Sequence, residues 1–513
     1  MKRFYMTTPL YYVNDTPHIG HAYTTVVADI LTRYHRLYGN ETLLLTGTDE
    51  HGQKVQKAAL AANKDPQKHC DEMAQNFTQI WQELNIDYDI FYRTTATDHK
   101  AVVQTCLQEL FDKGEIYAKE YEGWYAQSEE VFYTEKDLVD GKSPQGNDVE
   151  KITEQNYFFK MSAYQDQLVD YIESHDDFIL PKSKKNEVLG FLKKPLNDLC
   201  ISRPKERLSW GIELPFDKNY VTYVWFDALI NYAAAVGLKQ DEQQETFKQW
   251  WQRPNGAIHL IGKDILMTHA VYWPTMLMAL NVDLPKTIFA HGWWLTNNDE
   301  KMSKSKGAVV KPLDMKDMVG VDALRYFLIR DIRLGNDAQF SQDLVVTRIN
   351  TDLANNLGNL LNRVSNLVSK YFDGKMPAMQ DLSEEEKHLK NKVLALKAEV
   401  KTLIDDMAPD QAVAKIFDVL TLVNQYVDEK APWKMAKEDV SAAGHVLGFC
   451  IETIRVCAIL LQPVMPEKMQ NLFCRLGVKN TNIDQAEQFS VLNTDVKIEK
   501  ADPLFPRIDL PKN

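Results

Sequence analysis

The chain has 513 residues, 44% hydrophobic and 26% charged, with a formal net charge of −13 at neutral pH. That length exceeds one ordinary core and implies about two to four domains of globular type. No apolar run reaches the ~18 residues of a membrane span, and a strand pattern begins within a few residues of Met1, so no leader peptide and a cytoplasmic setting are expected.

Arg3 to Thr8 predicts a strand and Pro9 to Pro17 a loop. Apolar residues then recur at Ala22, Val26, Ile30 and Tyr34, the spacing of a helix starting near Ile19, and Gly39 offers a left-handed stop. Glu41 to Thr46 reads as a buried strand, followed by Gly47-Thr48-Asp49. This alternation over residues 1–114 predicts the first half of an α/β domain with a doubly wound, Rossmann-like parallel sheet. Over 115–220 the rhythm gives way to short strand-like runs and polar loops, as in an inserted domain. It returns over 221–290, with strands at 257–261 and 287–290 and a helix from Ile265 to Leu280 between them. Residues 291–340 read as a lysine-rich loop and a connecting segment. From 341 to 513 long helical spacings dominate: Leu353, Leu357, Leu360, Leu361, Val364, Leu367 and Val368, then Val413, Ile416, Leu420, Val423 and Val427. They predict an α-helical bundle.

Two segments far apart in sequence carry the clearest chemistry. His18-Ile19-Gly20-His21 falls at the predicted start of the first helix, where free backbone N–H groups and the dipole favour phosphate. Gly20 leaves space for a base or ribose against the turn. Lys301-Met302-Ser303-Lys304-Ser305 follows the turn residues Asn297-Asn298-Asp299-Glu300 and precedes Gly307, a composition suited to a closing lid and equally to a solvated basic loop. Ligands of doubly wound sheets bind beyond the carboxyl ends of the strands. His18, Asp49, Gly262 and His291 all follow strand-like runs, so one pocket can hold them. The combination predicts a nucleoside triphosphate gripped from two sides.

The two segments resemble the paired signatures of class I aminoacyl-tRNA synthetases. Thr8-Pro9-Leu10-Tyr11-Tyr12-Val13-Asn14, Gly47-Thr48-Asp49-Glu50-His51-Gly52, Tyr223-Val224-Trp225-Phe226-Asp227-Ala228, Gly262-Lys263-Asp264-Ile265 and His291-Gly292-Trp293-Trp294 extend the likeness to the methionyl-tRNA synthetase family. The resemblance implies ATP-dependent activation of L-methionine to methionyl-adenylate and transfer to the 3′-terminal adenosine of tRNA(Met), the initiator included. It implies that His18, His21, Lys301 and Lys304 are catalytic, the imidazoles holding phosphate oxygens and the lysines closing over the β- and γ-phosphates. ATP would also meet Gly20, Gly262, Asp264 (at the ribose hydroxyls), His291, Gly292 and the backbone near Trp294, with Mg²⁺ accompanying the triphosphate. The methionine pocket would comprise Leu10, Tyr12, Asp49 (on the ammonium), Trp225, Ala228, Tyr232, Ile265, His269 and Trp273, with aromatic rings suited to sulfur. By residue type alone, Trp225, Tyr232 and Trp273 are equally core aromatics.

In the family the bundle reads the anticodon, which points to Asn359, Arg363 and Trp433. An Arg or Asn can bond a base edge and a Trp can stack on a base, although Arg363 is also compatible with a solvated helix position and Trp433 with a core anchor. Many members carry a zinc knuckle in the inserted domain. Here residues 115–206 hold one cysteine and one histidine, Cys200 and His175, too few for a four-ligand site, so no structural zinc and no other resident metal are expected. Cys70, Cys106, Cys450, Cys457 and Cys474 complete the six cysteines, expected as reduced core residues. The acidic net charge requires any tRNA contact to be a local basic surface. Lys182, Lys184, Lys185, Lys193 and Lys194 are either such a surface or a solubilising face. The insertion is too short for a large editing domain, and the short tail after the bundle suggests a monomer. The alternatives are a class I synthetase for leucine, isoleucine, valine or cysteine, a small nucleotidyltransferase, and an inactive RNA-binding paralogue.

Overall fold

The computed structural model describes residues 2–126, 131–133, 135–295 and 310–509. Its centre is a six-stranded sheet. In chain order the strands are β1 (Arg3–Tyr12), β2 (Glu41–Asp49), β3 (Ile90–Arg93), β4 (Ile179–Leu180), β5 (Ala257–Gly262) and β6 (Thr287–His291). Their spatial order is β3-β2-β1-β5-β6-β4, and every neighbouring pair is parallel. The chain therefore moves outward to one side from β1 and to the other from β5. The crevice beyond the carboxyl ends of these two central strands is the switch point where such sheets bind ligands.

Three helices matter to that crevice. They are α1 (Ile19–Leu37), α2 (Thr97–Asp112) and α3 (Val224–Ala234). The period-two alternation of β1 splits the core into two layers. Phe4 and Met6 enter the core shared with α1 and the helical bundle, whereas Tyr5 enters the core shared with α2 and α3.

β4 departs from the sequence reading. It lies inside the 115–220 segment yet pairs with β6 at the sheet edge. Leu168, Ile172 and Val188 around it pack with Ile261 and Ile288 of the central sheet. A strand of two residues has no period to detect. The remainder of the segment is antiparallel: Ile116–Ala126 pairs with Glu150–Phe159, and Ser202–Pro204 pairs with Asp217–Thr222.

The predicted helix from Ile265 to Leu280 is a composite. Lys263–Ile265 is a 3₁₀ turn, Thr268–Tyr272 is π-wound, and Trp273–Ala279 is α-helical. Pro274 cannot donate to the carbonyl of Ala270, so the turn before it widens.

The C-terminal half contains α4 (Val321–Arg330), α5 (Asn359–Phe372), α6 (Glu384–Asp405), α7 (Pro409–Lys430) and α8 (Val440–Leu461). By length and composition α8 could cross a membrane, contrary to the expectation that no run qualified, but its apolar window is wholly buried in the bundle. Arg325 of α4 joins the bundle to α1. Fully buried, it donates to Asp29 at 2.6 Å and to the carbonyls of Val464 and Pro463 at 3.0 Å each. Cys70, Cys106, Cys450 and Cys457 are buried as expected, but Cys200 is only partly covered and Cys474 is exposed.

Candidate active site

A cavity of about 450 Å³ opens at the switch point. Four of the six strand ends contribute to it. β1 supplies Leu10 and Tyr12, β2 supplies Asp49, β5 supplies Gly262, and β6 supplies His291 with Gly292 beyond it. Pro9 has no N–H for the β1–β2 ladder, and the register shifts between Thr7 and Leu10. Such an irregularity re-aims the side chains that follow it.

His18 is the N-cap of α1, with extended backbone (φ −111°, ψ 174°). Its Nδ1 accepts from the Gly20 N–H at 3.1 Å, while His21 Nδ1 accepts from the His18 N–H at 3.4 Å. The rings stack at 3.7 Å. With both Nδ1 atoms acting as acceptors, the proton of each neutral ring belongs on Nε2. Gly20 serves this arrangement directly. A Cβ there would lie 2.9 Å from His18 Cε1, so any side chain would push the ring off the helix end. That purpose differs from the room for a ligand inferred from sequence. Gly262 is constrained similarly, because its Cβ would come within 2.5 Å of Asp264 Oδ1.

The opposite wall is apolar and uncharged. The Tyr232 hydroxyl donates to His269 Nε2 at 2.8 Å, and His269 Nδ1 donates to the Ile265 carbonyl at 3.0 Å. Burial lowers the His269 pKa to about 4, although the Ile265 carbonyl acts in the other direction. Behind it His259, also fully buried, bonds Thr7 at 2.7 Å and accepts from Trp273 Nε1 at 3.2 Å. Burial drives its pKa well down. Trp225, Ala228 and Ile265 complete this wall.

The chain matches the family model "tRNA synthetases class I (M)" over residues 4–152 and 136–365, and "Anticodon binding domain of methionyl tRNA ligase" over 376–511. Methionine–tRNA ligases of Caldanaerobacter subterraneus and Clostridium perfringens are 43% and 44% identical to it, over 100% and 99% of this chain and 80% and 78% of theirs. The chain belongs to the methionyl-tRNA synthetase family. Its fold superposes on a Mycobacterium tuberculosis methionyl-tRNA synthetase in complex with methionyl-adenylate, with a TM-score of 0.93 and 37% identity, covering 99% of this chain and 100% of that one.

Most residues that the synthetase resemblance singled out meet in the one cavity: His18, Gly20, His21, Gly262, Asp264, His291, Gly292 and Trp294, with Leu10, Tyr12, Asp49, Trp225, Ala228, Tyr232, Ile265 and His269. Trp273 does not reach the lining. It is fully buried behind Tyr232, at 6.3 Å between rings, as the core reading of that aromatic allowed. His291 has both ring nitrogens engaged, by Thr24 at 2.8 Å and the Gly292 carbonyl at 2.7 Å. Burial lowers its pKa.

Lys301 and Lys304 lie outside the described residues. The segment carrying them is bounded at the cavity on both sides. Trp294 and Val310 both line it, and the Ile19 N–H at the start of α1 donates to the Val310 carbonyl at 3.1 Å. Lining residues absent from the sequence reading include Asp15 and Thr16 before the N-cap, Tyr23 and Thr24 one turn into α1, and Leu229 and Asn231 on α3. The signal for Thr24 was its place one helical turn beyond Gly20.

Away from the cavity, Arg363 and Trp433 come together although they belong to different elements. The guanidinium lies 5.0 Å from the indole centroid and is paired with Asp428 at 2.6 Å. Trp433 follows Ala431, whose left-handed φ of 44° turns the chain out of α7. Asn359 is exposed at the start of α5. The lysine cluster is not a uniform basic surface. Lys185 is buried and paired with Asp176 at 2.7 Å, and Lys184 pairs with Glu187. His175 donates from Nδ1 to the Tyr171 carbonyl at 2.9 Å, while Cys200 Sγ accepts from Arg203 at 3.4 Å.

Proposed function

We infer that this chain activates L-methionine with ATP and transfers it to tRNA, with the switch-point cavity as the place of both steps. In the first step a carboxylate oxygen of methionine attacks the α-phosphorus in line, the bond to the bridging oxygen breaks, and pyrophosphate leaves. In the second, the terminal ribose hydroxyl attacks the acyl carbon and AMP leaves. The carboxylate is already a nucleophile, so positioning and charge stabilisation carry the rate of the first step. His18 and His21 present Nε2 donors to phosphate oxygens from the helix start, Lys301 and Lys304 cover the outer phosphates, and Mg²⁺ arrives with the triphosphate. Asp264 takes ribose hydroxyls. Asp49 takes the ammonium, and the neutral wall of Tyr232, His269 and Trp225 takes the thioether. The Arg363–Trp433 pair and Asn359 read the anticodon. An enzyme serving translation in this way works in the cytoplasm, here as a monomer.

The observation that carries this reading is the meeting of two unlike surfaces in one cavity. A helix start with paired imidazoles faces a wall of uncharged aromatic groups, with Asp49 at the same cavity. Amino-acid-dependent pyrophosphate exchange tests it. Methionine should give the highest kcat/KM of the twenty amino acids. A higher value for leucine, isoleucine, valine or cysteine would overturn the assignment of the pocket.

A further inference from the structure

Asp227 on α3 takes no part in the chemistry above, yet it is buried beside the cavity with both carboxylate oxygens occupied. His51 Nδ1 meets Oδ2 at 2.6 Å and His99 Nε2 meets Oδ1 at 2.6 Å. All three residues are 3% exposed or less. They come from three separate elements. His51 lies on the loop leaving β2, two residues beyond Asp49. His99 is on α2. Asp227 lies on α3 between Trp225 and Ala228, both of which line the cavity. Burial alone would raise the carboxyl pKa, but the two imidazoles outweigh it and hold it at about 2. The carboxylate is therefore ionised, and its short, charge-assisted bonds are strong and directional.

The loop after β2 is held from its other side too. Trp210 Nε1 donates to the Glu50 carbonyl at 2.6 Å, and the Gly52 N–H donates to the Trp210 carbonyl at 3.2 Å. That leaves the His51–Asp227 bond as a direct side-chain tie from this loop to α3. One wall of the cavity carries Asp49, and the other carries Trp225, Ala228 and Tyr232.

We propose that Asp227 is a positioning residue that sets the separation between the ammonium-binding carboxylate of Asp49 and the side-chain wall on α3, and so selects an amino acid of methionine's length. This rests on the roles assigned to those walls under the proposed function. A carboxylate that gauges length through His51 acts on the amino-acid site alone and leaves the nucleotide side at α1 untouched.

The test uses the full-length chain in pyrophosphate exchange with methionine and with S-methylcysteine, which is one methylene shorter. Asp227→Asn should raise the methionine KM about tenfold or more, the size expected when a buried charged hydrogen bond is lost. It should leave the ATP KM within about twofold and reduce the preference for methionine over S-methylcysteine by a similar factor. His51→Leu should act in the same direction. His51→Asn, whose amide donates from near the place of Nδ1, should recover most of the loss. If both Asp227→Asn and His51→Leu keep the wild-type methionine KM and preference, the proposal is overturned. It is also overturned if methionine and ATP are weakened alike with a reduced folded fraction, since that marks support of the fold and nothing more. Failure of the wild-type chain to respond to methionine would instead strike the proposed function, and this inference with it.

Discussion

The two sides of the cavity use the same residue type for opposite purposes. At the start of α1, His18 and His21 accept backbone N–H groups at Nδ1 and stack on each other beside the cavity. On the α3 side, His269 and His259 are fully buried and kept uncharged. Imidazole is a donor for phosphate at a helix end and a neutral, polarisable wall element when desolvated; the difference is made by burial and by which nitrogen is already bonded.

Substitutions can separate the two sides. The largest effect is expected at the helix end. His21→Ala should lower kcat for pyrophosphate exchange by ~10²–10³ while leaving the methionine KM unchanged, the magnitude seen when an oriented donor to developing charge is removed. His18→Asn should lose the donor but keep α1 capped, whereas His18→Ala should also cost about 1 kcal/mol of stability in a denaturant melt. Next comes Asp49→Asn, which should raise the methionine KM by roughly 10–100-fold with little change in the ATP KM. Away from both sides, Trp433→Ala should reduce kcat/KM for tRNA by about tenfold or more while pyrophosphate exchange stays intact, because base–aromatic stacking is worth about 1–3 kcal/mol. Tyr232→Phe leaves His269 Nε2 without its donor and should raise the methionine KM by about three- to tenfold.

The smallest effect is a pH dependence to which the apolar wall contributes together with the buried His35 and His291, whose pKa values burial also lowers. The folded pKa of His269 is about 4, below the ordinary value of 6.5. The unfolded chain therefore binds the extra proton first as pH falls, and this group's stabilising contribution, complete above pH 6.5, is lost progressively on the way down to about 4. Thermal melts should be flat in this respect from pH 8 to 6.5 and then decline, whereas methionine affinity should hold until pH nears 4, where the folded His269 gains its proton. Affinity that rose with acid over that interval would contradict a neutral His269.

Much of the frame was legible in the sequence because it follows from short-range rules. The strand-like runs at 3–8 and 41–46 and the helical spacing through Tyr34 located β1, β2 and α1, and the helical spacings beyond Leu353 located the bundle. Less visible were features whose cause lies elsewhere in the chain. β4 has two residues and forms only because β6 offers an edge. The π-wound turn at Thr268–Tyr272 depends on Pro274 and on packing that accommodates the wider helix. Trp273 and Trp225 look alike as letters, yet one is core and the other faces the cavity.

The sequence by itself determined the class of chemistry. His18, Gly20, His21, Asp49, Asp264 and the lysine segment are local patterns of residue type, and residue type dictates what can be donated or accepted. Tertiary structure decided which partner each histidine nitrogen meets, that Lys185 is buried and paired, that Arg363 lies against Trp433, and that Asp227 bridges His51 and His99. Those outcomes depend on burial and on partners distant in the chain. Both are set by how the layers pack, so no local pattern encodes them.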